Sequence, residues 1–389
     1  MTRLHPVNAS HPHRVLILGA GHIGRAIALL LEDAGSYTLT VADRDAAALK
    51  RLQVHSAATL QVTDDAMLEA AIAGHHAVLN ALPFHQAVPV ATLCARHGVH
   101  YFDLTEDVAS TRAIQALAEG ARSAFMPQCG LAPGFIGVVG NALAQRLDRV
   151  EGLQLRVGAL PRYPQGALRY AMTWSTEGLI NEYCNPCDAI VQGRRTSVPA
   201  LDGLETLLID GVEYEAFNTS GGLGTLPQTW EGRVGQLDYK SVRYPGHHAI
   251  LQLLLHELRL RDRRDLLKEL LDGAVPTTQQ DVIVILASAR GQRDGRLVQE
   301  SYAAHILGAS VRGQMLSAIQ RTTAAGICAA LDLVMAGQLP QAGFIGQEQI
   351  ALEDFLANRF GRIYRAPGSV GDAGSPQAPL ARSLQAVGA

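Results

Sequence analysis

Three glycines near the start of the chain have the spacing of a nucleotide-binding turn. They are Gly19, Gly21 and Gly24, and they follow an apolar run, 15–18, that is typical of a buried strand. In such a strand, turn and helix unit, the first glycine permits a tight turn, the second lets a pyrophosphate approach the backbone, and the third lets the helix pack closely on the strand. Free N–H groups at the start of the helix would bind the phosphates. The predicted dinucleotide contacts are Gly19, Ala20, Gly21, His22, Ile23 and Gly24; a glycine turn without a nucleotide is the alternative.

A carboxylate at the end of the next apolar strand indicates which dinucleotide would bind. The run 38–42 ends at Asp43, nineteen residues after Gly24. A carboxylate at this point can hydrogen-bond the hydroxyls of an adenosine ribose and would repel a 2′-phosphate, so Asp43 favours NAD. The neighbouring Arg44 could stack on adenine or pair with a phosphate, and NADP is therefore not excluded. Further cofactor contacts are predicted at Asp64, Asn80, Ala81, Leu82 and Pro83.

The bulk composition limits the class of protein. The chain has 389 residues, which is more than one core usually holds and predicts two domains. Its formal net charge is −3 without a strongly basic run, so no nucleic-acid partner is expected. The uncharged stretch 123–145 contains prolines and glycines, which predict a turn and a buried helix rather than a membrane span. The first residues lack the apolar segment of a secretory signal, and the five cysteines are scattered, which predicts a cytoplasmic protein with reduced thiols.

The elements around the glycine turn follow a βαβ pattern. Apolar runs alternate with helical patterns and predict six strands between residues 14 and 128. The predicted fold class is α/β, with an N-terminal Rossmann domain built on a doubly wound parallel sheet and a second α+β substrate domain. The predicted boundaries are a flexible leader at 1–13, the NAD-binding Rossmann domain at 14–132, the α+β substrate and catalytic domain at 133–313, C-terminal helices that return to the Rossmann domain at 314–364, and a disordered tail at 365–389.

The pattern changes after residue 150. Alternating segments, among them 152–160 and 169–175, predict an antiparallel sheet with helices on one side. Two helices are expected at 246–259 and 261–271. A hairpin follows, with its turn at 291–295.

Several short segments, in this order along the chain, resemble the saccharopine dehydrogenase-like family, and most closely its L-lysine 6-dehydrogenase branch. The resemblance covers about residues 14–364. It implies a Rossmann domain, a substrate domain inserted before the last helices, and an NAD(P)-dependent oxidation at a C–N bond. The segments that carry it are GAGHIG at 19–24, NALP at 80–83, HYFDL at 100–104, CGLAPG at 129–134, STEGLINEY at 175–183, VPAL and LE within 198–205, SGGLGTLP at 220–227, and LDYKSVRYPGH at 237–247.

An amine oxidation by hydride transfer needs a base. A protonated amine has no lone pair to support the developing iminium, and deprotonating a lysine ε-ammonium at neutral pH costs roughly 4–5 kcal/mol. Candidate catalytic residues are Asp103 at a strand end, Glu177 at a predicted helix start, His247 after RYPG, and Lys240. Asp103 could instead cap a helix or bind a ribose, and Lys240 could be a second anion contact or a solvated surface residue.

An amino-acid substrate also needs a cation for its α-carboxylate. Arg243 is the candidate, because a guanidinium pairs with a carboxylate in a bidentate manner. The neighbouring Tyr244 is a further candidate, and Ser220 and Gly221 could offer backbone donors, although their segment is also typical of a hairpin turn.

The cysteines are not expected to carry chemistry. Cys129 follows the last Rossmann strand, but this oxidation needs no covalent intermediate, and a small buried residue is the simpler interpretation. Cys184 and Cys187 have the spacing of a metal pair, yet no second pair exists in the sequence, and no metal is predicted.

The resemblance therefore implies NAD-dependent oxidative deamination of the terminal amine of L-lysine or a close diamino acid, giving ammonia, NADH and a semialdehyde that cyclises. The partner would be a small amino-acid substrate, with no nucleic acid and no membrane, and a homo-oligomer, such as a homodimer, is expected. A saccharopine-type or carboxynorspermidine-type enzyme acting on a secondary amine is the alternative, and a non-catalytic nucleotide-binding protein is a third. Saccharopine carries three carboxylates and would need several cations, and the second domain has five arginines that could supply them: Arg156, Arg162, Arg169, Arg233 and Arg243.

Overall fold

The computed structural model describes residues 12–365, so most of the predicted leader and nearly all of the predicted tail lie outside the described residues. Its first part alternates strands with helices. The strands are β1 (His13–Leu18), β2 (Tyr37–Asp43), β3 (Ala57–Gln61), β4 (Ala77–Asn80), β5 (His100–Asp103) and β6 (Ala124–Met126). The helices are α1 (His22–Ala34), α2 (Ala46–Lys50), α3 (Asp65–Ala73), α4 (Ala87–His97) and α5 (Val108–Ala118).

These six strands form one parallel sheet in the order β6, β5, β4, β1, β2, β3. Apolar side chains of β1 enter both cores, Val15 and Ile17 on one face, Leu16 and Leu18 on the other. Burial on both faces explains why the strand is a continuous apolar run. The strand order reverses between β1 and β4, and ligands of open α/β sheets bind outside the carboxyl ends at such a point. The predicted doubly wound sheet is confirmed.

The second part is built on a larger sheet. Its strands are β7 (Arg149–Pro161), β8 (Cys187–Val191), β9 (Arg194–Val198), β10 (Glu205–Ile209), β11 (Val212–Asn218), β12 (Val234–Arg243), β13 (Asp281–Arg293) and β14 (Arg296–Leu307). The helices of this part are α6 (Phe135–Gln145), α7 (Thr176–Cys184), α8 (Leu226–Trp230), α9 (His247–Gln252) and α10 (Arg264–Ala274). The remaining elements are β15 (Ala309–Val311), β16 (Gln314–Leu316), α11 (Ala318–Met335), β17 (Gly343–Phe344) and α12 (Leu352–Ala357).

This second sheet is mixed, which corrects the prediction of an antiparallel one. Its main order is β10, β11, β12, β7, β13, β14, and β12 lies parallel to β7. The long connection between them, which includes α7 and four strands, lets the chain return to the end at which β7 began.

Two local predictions in the second part were also wrong. No strand forms at 169–175, where Arg169 has a left-handed φ of 48° and only Met172 makes an isolated bridge. Such a backbone angle interrupts an extended strand. The helix expected at 246–259 is divided into α9 and a π-helical turn, Leu253–Glu257.

The C-terminal elements join the two sheets. Strand β17 pairs with β6 at the edge of the first sheet, and α11 contributes to a hydrophobic core that contains residues of both sheets. The start of α11 is held by Asp281 of β13, which accepts hydrogen bonds from the N–H groups of Ala318 and Ile319 at 2.5 and 2.9 Å. Within residues 12–365, none of the helices combines the length and apolar character required to cross a membrane.

Candidate active site

The glycine turn after β1 has the geometry of a phosphate cradle. Gly19 has a φ of +101°, which favours glycine. A Cβ on Gly24 would lie 1.8 Å from the carbonyl oxygen of Gly19, so only glycine lets α1 approach the turn this closely. Gly21 is exposed, and a Cβ there would meet nothing within 4 Å. The space in front of Gly21 is therefore open to a ligand, and the residues present fit a dinucleotide.

Asp43 lies at the end of β2, beside this turn. Its Oδ2 accepts a hydrogen bond from the N–H of Ala20 at 2.7 Å, and its Oδ1 accepts one from Asp45 at 2.8 Å. Arg44 is exposed next to it. Asp64 caps α3 by accepting from Met67 N–H at 2.8 Å. Asp43 is thus the carboxylate that contacts the turn directly.

The segment 80–83 borders the turn from the other side. The would-be Cβ of Gly19 lies 3.0 Å from the carbonyl oxygen of Ala81. The Asn80 amide is used within the protein, because it donates to Tyr101 Oη at 3.2 Å and accepts from Leu82 N–H at 3.1 Å. The backbone after β4 therefore lines the crevice, together with Leu82 and Pro83.

Asp103 is buried at the end of β5, and its carboxylate is fully hydrogen-bonded. Oδ1 accepts from the N–H groups of Thr105 and Gln128, both at 3.0 Å, and Oδ2 accepts from Tyr101 Oη at 2.7 Å. Burial raises the pKa of this carboxyl group. These contacts connect the ends of β5 and β6 and favour the structural alternative for Asp103 over a catalytic one.

Arg243, at the end of β12, is buried in a network of aromatic and polar groups. Its guanidinium lies 5.1 Å from the ring centre of Tyr170 and 5.6 Å from that of Tyr183. Nε donates to Tyr183 Oη at 2.8 Å, and Nη1 donates to the carbonyl oxygen of Val242 at 2.9 Å. Nη2 remains available on the side facing Glu182.

His247 holds Tyr183 in this network. Burial, and then the charge of Arg243, lower the pKa of His247 to about 3, so its ring is neutral. Nδ1 lies 2.9 Å from the carbonyl oxygen of Leu168, an acceptor only, and therefore carries the hydrogen. Nε2 then accepts from Tyr183 Oη at 3.1 Å. Both ring nitrogens are occupied, so His247 positions Tyr183 and, through it, Arg243.

The carboxylate beside Arg243 is Glu182, which the sequence analysis missed. Its Oε2 lies 3.5 Å from Arg243 Nη2 and has no hydrogen-bond partner within the described residues. The predicted Glu177 is on the same helix, α7, but it is exposed. Residues three or four positions apart lie on the same face of a helix. Glu182 follows the buried Gly178 and Leu179 by four and three residues, so helical spacing places it on the buried face of α7.

A second carboxylate, Glu106, was also missed. It follows β5, and its Cβ lies 3.0 Å from the position of a Cβ on Gly221. Its charge contributes, after burial, to raising the pKa of Glu182. The signal in the sequence is its position, three residues after the strand-ending Asp103 at the carboxyl edge of the sheet.

The loop with Ser220 and Gly221 contacts both of these residues, Glu182 through its backbone and Glu106 at its Cβ. Ser220 N–H donates to the carbonyl oxygen of Glu182 at 3.0 Å, and its hydroxyl donates to the carbonyl oxygen of Pro186 at 2.9 Å. Gly221 has a φ of +92°, and a Cβ on Gly222 would lie 2.4 Å from the ring of Tyr239. The N–H of Ser220, predicted as a donor to a substrate carboxylate, is therefore used within the protein, and a substrate contact of Gly221 stays a prediction.

Lys240 and Tyr244 do not join this cluster. Side chains alternate along a strand, so residues an odd number of positions from Arg243 face the other side of the sheet. Lys240 donates to the carbonyl oxygen of Gly203 at 2.6 Å and to Glu205 at 2.7 Å. Tyr244 donates to the carbonyl oxygen of Pro161 at 2.9 Å. Grouping them with Arg243 ignored this alternation.

The buried charge of Glu182 has a measurable cost in stability. Burial raises the pKa of its carboxyl group from 4.5 to about 7, despite the opposing charge of Arg243. Between these values the native protein keeps a proton that the unfolded chain releases, so stability falls as pH rises from 4.5 to 7. Glu182→Gln should therefore raise the free energy of unfolding by about 3 kcal/mol at about pH 8 and change it little below pH 4.5.

Urea denaturation across this pH range measures the effect, with Glu177→Gln as the exposed control on the same helix. The titratable groups whose charges interact with that of Glu182 are Arg243, Glu106, Tyr239, Tyr170, Tyr183 and Cys187. A pH-independent difference between Glu182→Gln and the unsubstituted protein would contradict the assignment of this buried charge.

A doubly wound sheet with a glycine turn that fits a dinucleotide, joined to a mixed sheet that carries a buried cation, is the arrangement expected of a dinucleotide-dependent oxidoreductase. Two family models match the chain, "Saccharopine dehydrogenase NADP binding domain" over residues 15–125 and "Saccharopine dehydrogenase C-terminal domain" over residues 130–362. The chain belongs to the saccharopine dehydrogenase family. The predicted family, the fold class and the nicotinamide cofactor are thereby confirmed, with NADP not excluded.

Individual relatives agree with this assignment. The chain is 23% identical over 299 residues to saccharopine dehydrogenase [NADP(+), L-glutamate-forming] of Pyricularia oryzae, a match that covers 72% of this chain and 64% of that protein's length. The fold is similar to that of apo saccharopine dehydrogenase (L-Glu forming) from Saccharomyces cerevisiae, with a TM-score of 0.70, 16% identity, and coverage of 87% of this chain and 94% of that chain.

Proposed function

We propose that the protein catalyses the NAD-dependent oxidative deamination of the terminal amine of L-lysine or a close diamino acid. The observation that carries this proposal is the charge balance of the cluster. It contains one guanidinium, Arg243, and two carboxylates, Glu182 and Glu106. A diamino acid has the complementary set, one carboxylate and two ammonium groups, and buried charges need such partners.

The positions of the other four arginines weigh against a saccharopine-type substrate. Arg156 is buried on the far side of the sheet, where it pairs with Glu205 and Asp238. Arg233 is exposed over the ring of Trp230, and Arg169 is exposed as well. Arg162 lies over the exposed ring of Tyr163. None of these four joins Arg243, and a tricarboxylate would need several converging cations.

The cofactor would be held by the turn 19–24, with Asp43 at the adenosine ribose. When bound, the oxidised nicotinamide supplies a hydride acceptor. The chain itself orients the substrate through Arg243, whose free Nη2 would pair with the α-carboxylate, and removes the proton that keeps the reacting amine charged. Water addition to the resulting substrate iminium releases ammonia, and the semialdehyde cyclises onto its own α-amine.

The preference for NAD depends on the charge of Asp43. Asp43→Asn keeps an oxygen that can accept from Ala20 N–H but removes the repulsion of a 2′-phosphate. We expect the ratio of kcat/KM for NADP to that for NAD to rise about tenfold, since two unit charges about 4 Å apart in water interact by about 1 kcal/mol and the 2′-phosphate is nearly doubly charged. Asp45→Asn, which retains its helix cap, is the control and should leave the ratio unchanged.

The deciding experiment follows nicotinamide absorbance while the purified protein is incubated with NAD or NADP and a panel of amines. The panel contains L-lysine, L-ornithine, saccharopine, and the reverse mixture of aldehyde, amine and reduced cofactor. Reduction of NAD with L-lysine and stoichiometric ammonia supports the proposal. Activity with saccharopine alone, or in the reverse mixture alone, would replace it with the alternative. Tight NAD binding without turnover would favour a nucleotide-binding protein that has lost catalysis. The homo-oligomeric state and cytoplasmic location stay predictions.

A further inference from the structure

We propose that two carboxylates from different parts of the fold divide the recognition of the substrate's two amines. Glu182 binds the α-ammonium, and Glu106 is the general base that accepts a proton from the terminal ammonium. This inference rests on the proposed function, because it requires a substrate with two amines and one carboxylate.

The place of Glu182 follows from the groups around Arg243. Two of the guanidinium nitrogens are used, Nε by Tyr183 and Nη1 by the carbonyl oxygen of Val242. The third, Nη2, faces Glu182 Oε2 across 3.5 Å, and this buried oxygen has no hydrogen-bond partner among the described residues. A carboxylate and an ammonium on one carbon atom are the pair that would satisfy both groups together. Glu182 therefore binds the α-ammonium group of the substrate, next to the α-carboxylate that Arg243 binds.

Glu106 is placed at the opposite end of the substrate by the sheet. Asp43 lies at the end of β2, on the side of β1 where the adenosine ribose would bind. Strands β4 and β5 lie on the other side of β1, beyond the point at which the strand order reverses. A dinucleotide spans the crevice across the switch point, so the loop after β5 borders the reacting half. Glu106 belongs to this loop and approaches Gly221 of the second part of the fold.

None of the four bases predicted from the sequence is available in this cluster. Both oxygens of Asp103 accept hydrogen bonds, and both ring nitrogens of His247 are occupied. Glu177 is exposed, and Lys240 faces the other side of the sheet. Glu106 follows β5 of the Rossmann sheet and lies against Gly221 of the second part of the fold.

The proton transfer is a simple exchange. An N–H bond of the terminal ammonium breaks, its electron pair stays on nitrogen, and an O–H bond forms on the Glu106 carboxylate. Burial, reinforced by the charges of Asp107 and Asp103, raises the pKa of Glu106 and makes it a stronger base than an exposed glutamate. The neutral amine can then support oxidation at the adjacent carbon.

The role of Glu182 is tested with 6-aminohexanoate, which is lysine without its α-amine. The unsubstituted enzyme should prefer L-lysine over 6-aminohexanoate in kcat/KM by about 30-fold or more, the range of a charge-assisted hydrogen bond. Glu182→Gln should lose most of this preference and bind 6-aminohexanoate as well as before. Glu177→Gln, on the exposed face of the same helix, should retain the preference.

The role of Glu106 is tested by its pH profile. Glu106→Gln should lower kcat by about 100-fold to 10,000-fold near neutral pH while equilibrium binding of L-lysine, measured by calorimetry, is retained. The residual rate should rise about tenfold per pH unit toward pH 10, because the free amine then forms without a base. Glu106→Asp should recover part of the activity, and Asp107→Asn, which can still cap α5, is the matched control.

The outcomes separate this inference from the proposed function. Turnover of L-lysine with an undiminished preference in Glu182→Gln overturns the role of Glu182, and an unchanged kcat and pH profile in Glu106→Gln overturns that of Glu106; both leave the function standing. If the unsubstituted protein does not turn over L-lysine, the function fails, and calorimetry decides the inference. A binding preference for L-lysine that Glu182→Gln loses supports it, and absence of lysine binding to the unsubstituted protein overturns it.

Discussion

Arg243→Lys is expected to raise the KM for L-lysine by about 100-fold. A lysine ammonium cannot reproduce the planar set of donors with which the guanidinium contacts Tyr183, Val242 and the substrate carboxylate. Loss of one or two charge-assisted hydrogen bonds, at about 1.5–3 kcal/mol each, accounts for an effect of this size. The positive charge beside Glu182 is retained, so the variant isolates recognition from the removal of a buried charge.

Steady-state kinetics with L-lysine and with 1,5-diaminopentane, which lacks the carboxylate, measures this effect. The discrimination between the two substrates should shrink in Arg243→Lys. Lys240→Gln is the matched control, because Lys240 is three residues away on the same strand but contacts Glu205 on the other side of the sheet. An unchanged KM in Arg243→Lys, or an equal rise in Lys240→Gln, would remove Arg243 from the substrate site.

Gly24→Ala is expected to disrupt both folding and cofactor binding. The added methyl group would lie 1.8 Å from Gly19 O and 2.9 Å from Gly19 C, and both are backbone atoms that cannot turn aside. Separating α1 from the turn should lower the free energy of unfolding by about 3 kcal/mol or more, the upper range for overpacking. Thermal unfolding and fluorescence titration with NADH measure the two effects.

Gly21→Ala is the informative comparison. A Cβ at Gly21 meets no protein atom within 4 Å, and its φ of −71° suits any residue, so stability should stay nearly unchanged. The methyl group would nevertheless occupy the space in which a pyrophosphate approaches the backbone, and NADH affinity should fall. Equal stability losses in the two variants would contradict this division between packing and ligand binding.

The cluster around Arg243 illustrates a conflict between stability and recognition. Glu182 is partly buried, and its buried Oε2 lacks a hydrogen-bond partner among residues 12–365, which destabilises the native state near neutral pH. Such unsatisfied groups are rare in folded proteins. The proposed substrate would supply an ammonium group as the missing partner of this oxygen. Substrate binding would therefore offset the free energy that the unsatisfied oxygen costs the native state.

The sequence alone determined the nucleotide-binding half of this protein. Strand β1, the glycine turn and Asp43 are local features, because the spacing of three glycines and one carboxylate follows from a single βαβ unit. Arg243 and the loop at Ser220 were candidates because of their residue types and of the family resemblance, and their roles stay predictions. The alternation along β12 was also readable, and applying it would have separated Lys240 from Arg243.

Only the tertiary structure pointed to the two acids that we propose for the substrate site. Glu106 and Glu182 belong to different parts of the fold, and the loop at 220–222 contacts both of them. The parallel pairing of β12 with β7 and the burial that neutralises His247 likewise depend on distant segments. Contacts between residues far apart in the chain are set by how the two sheets pack. Sequence spacing carries information about residues that are close in the chain. The glycine turn for the cofactor could therefore be predicted from it, whereas the two carboxylates proposed to contact the substrate could not.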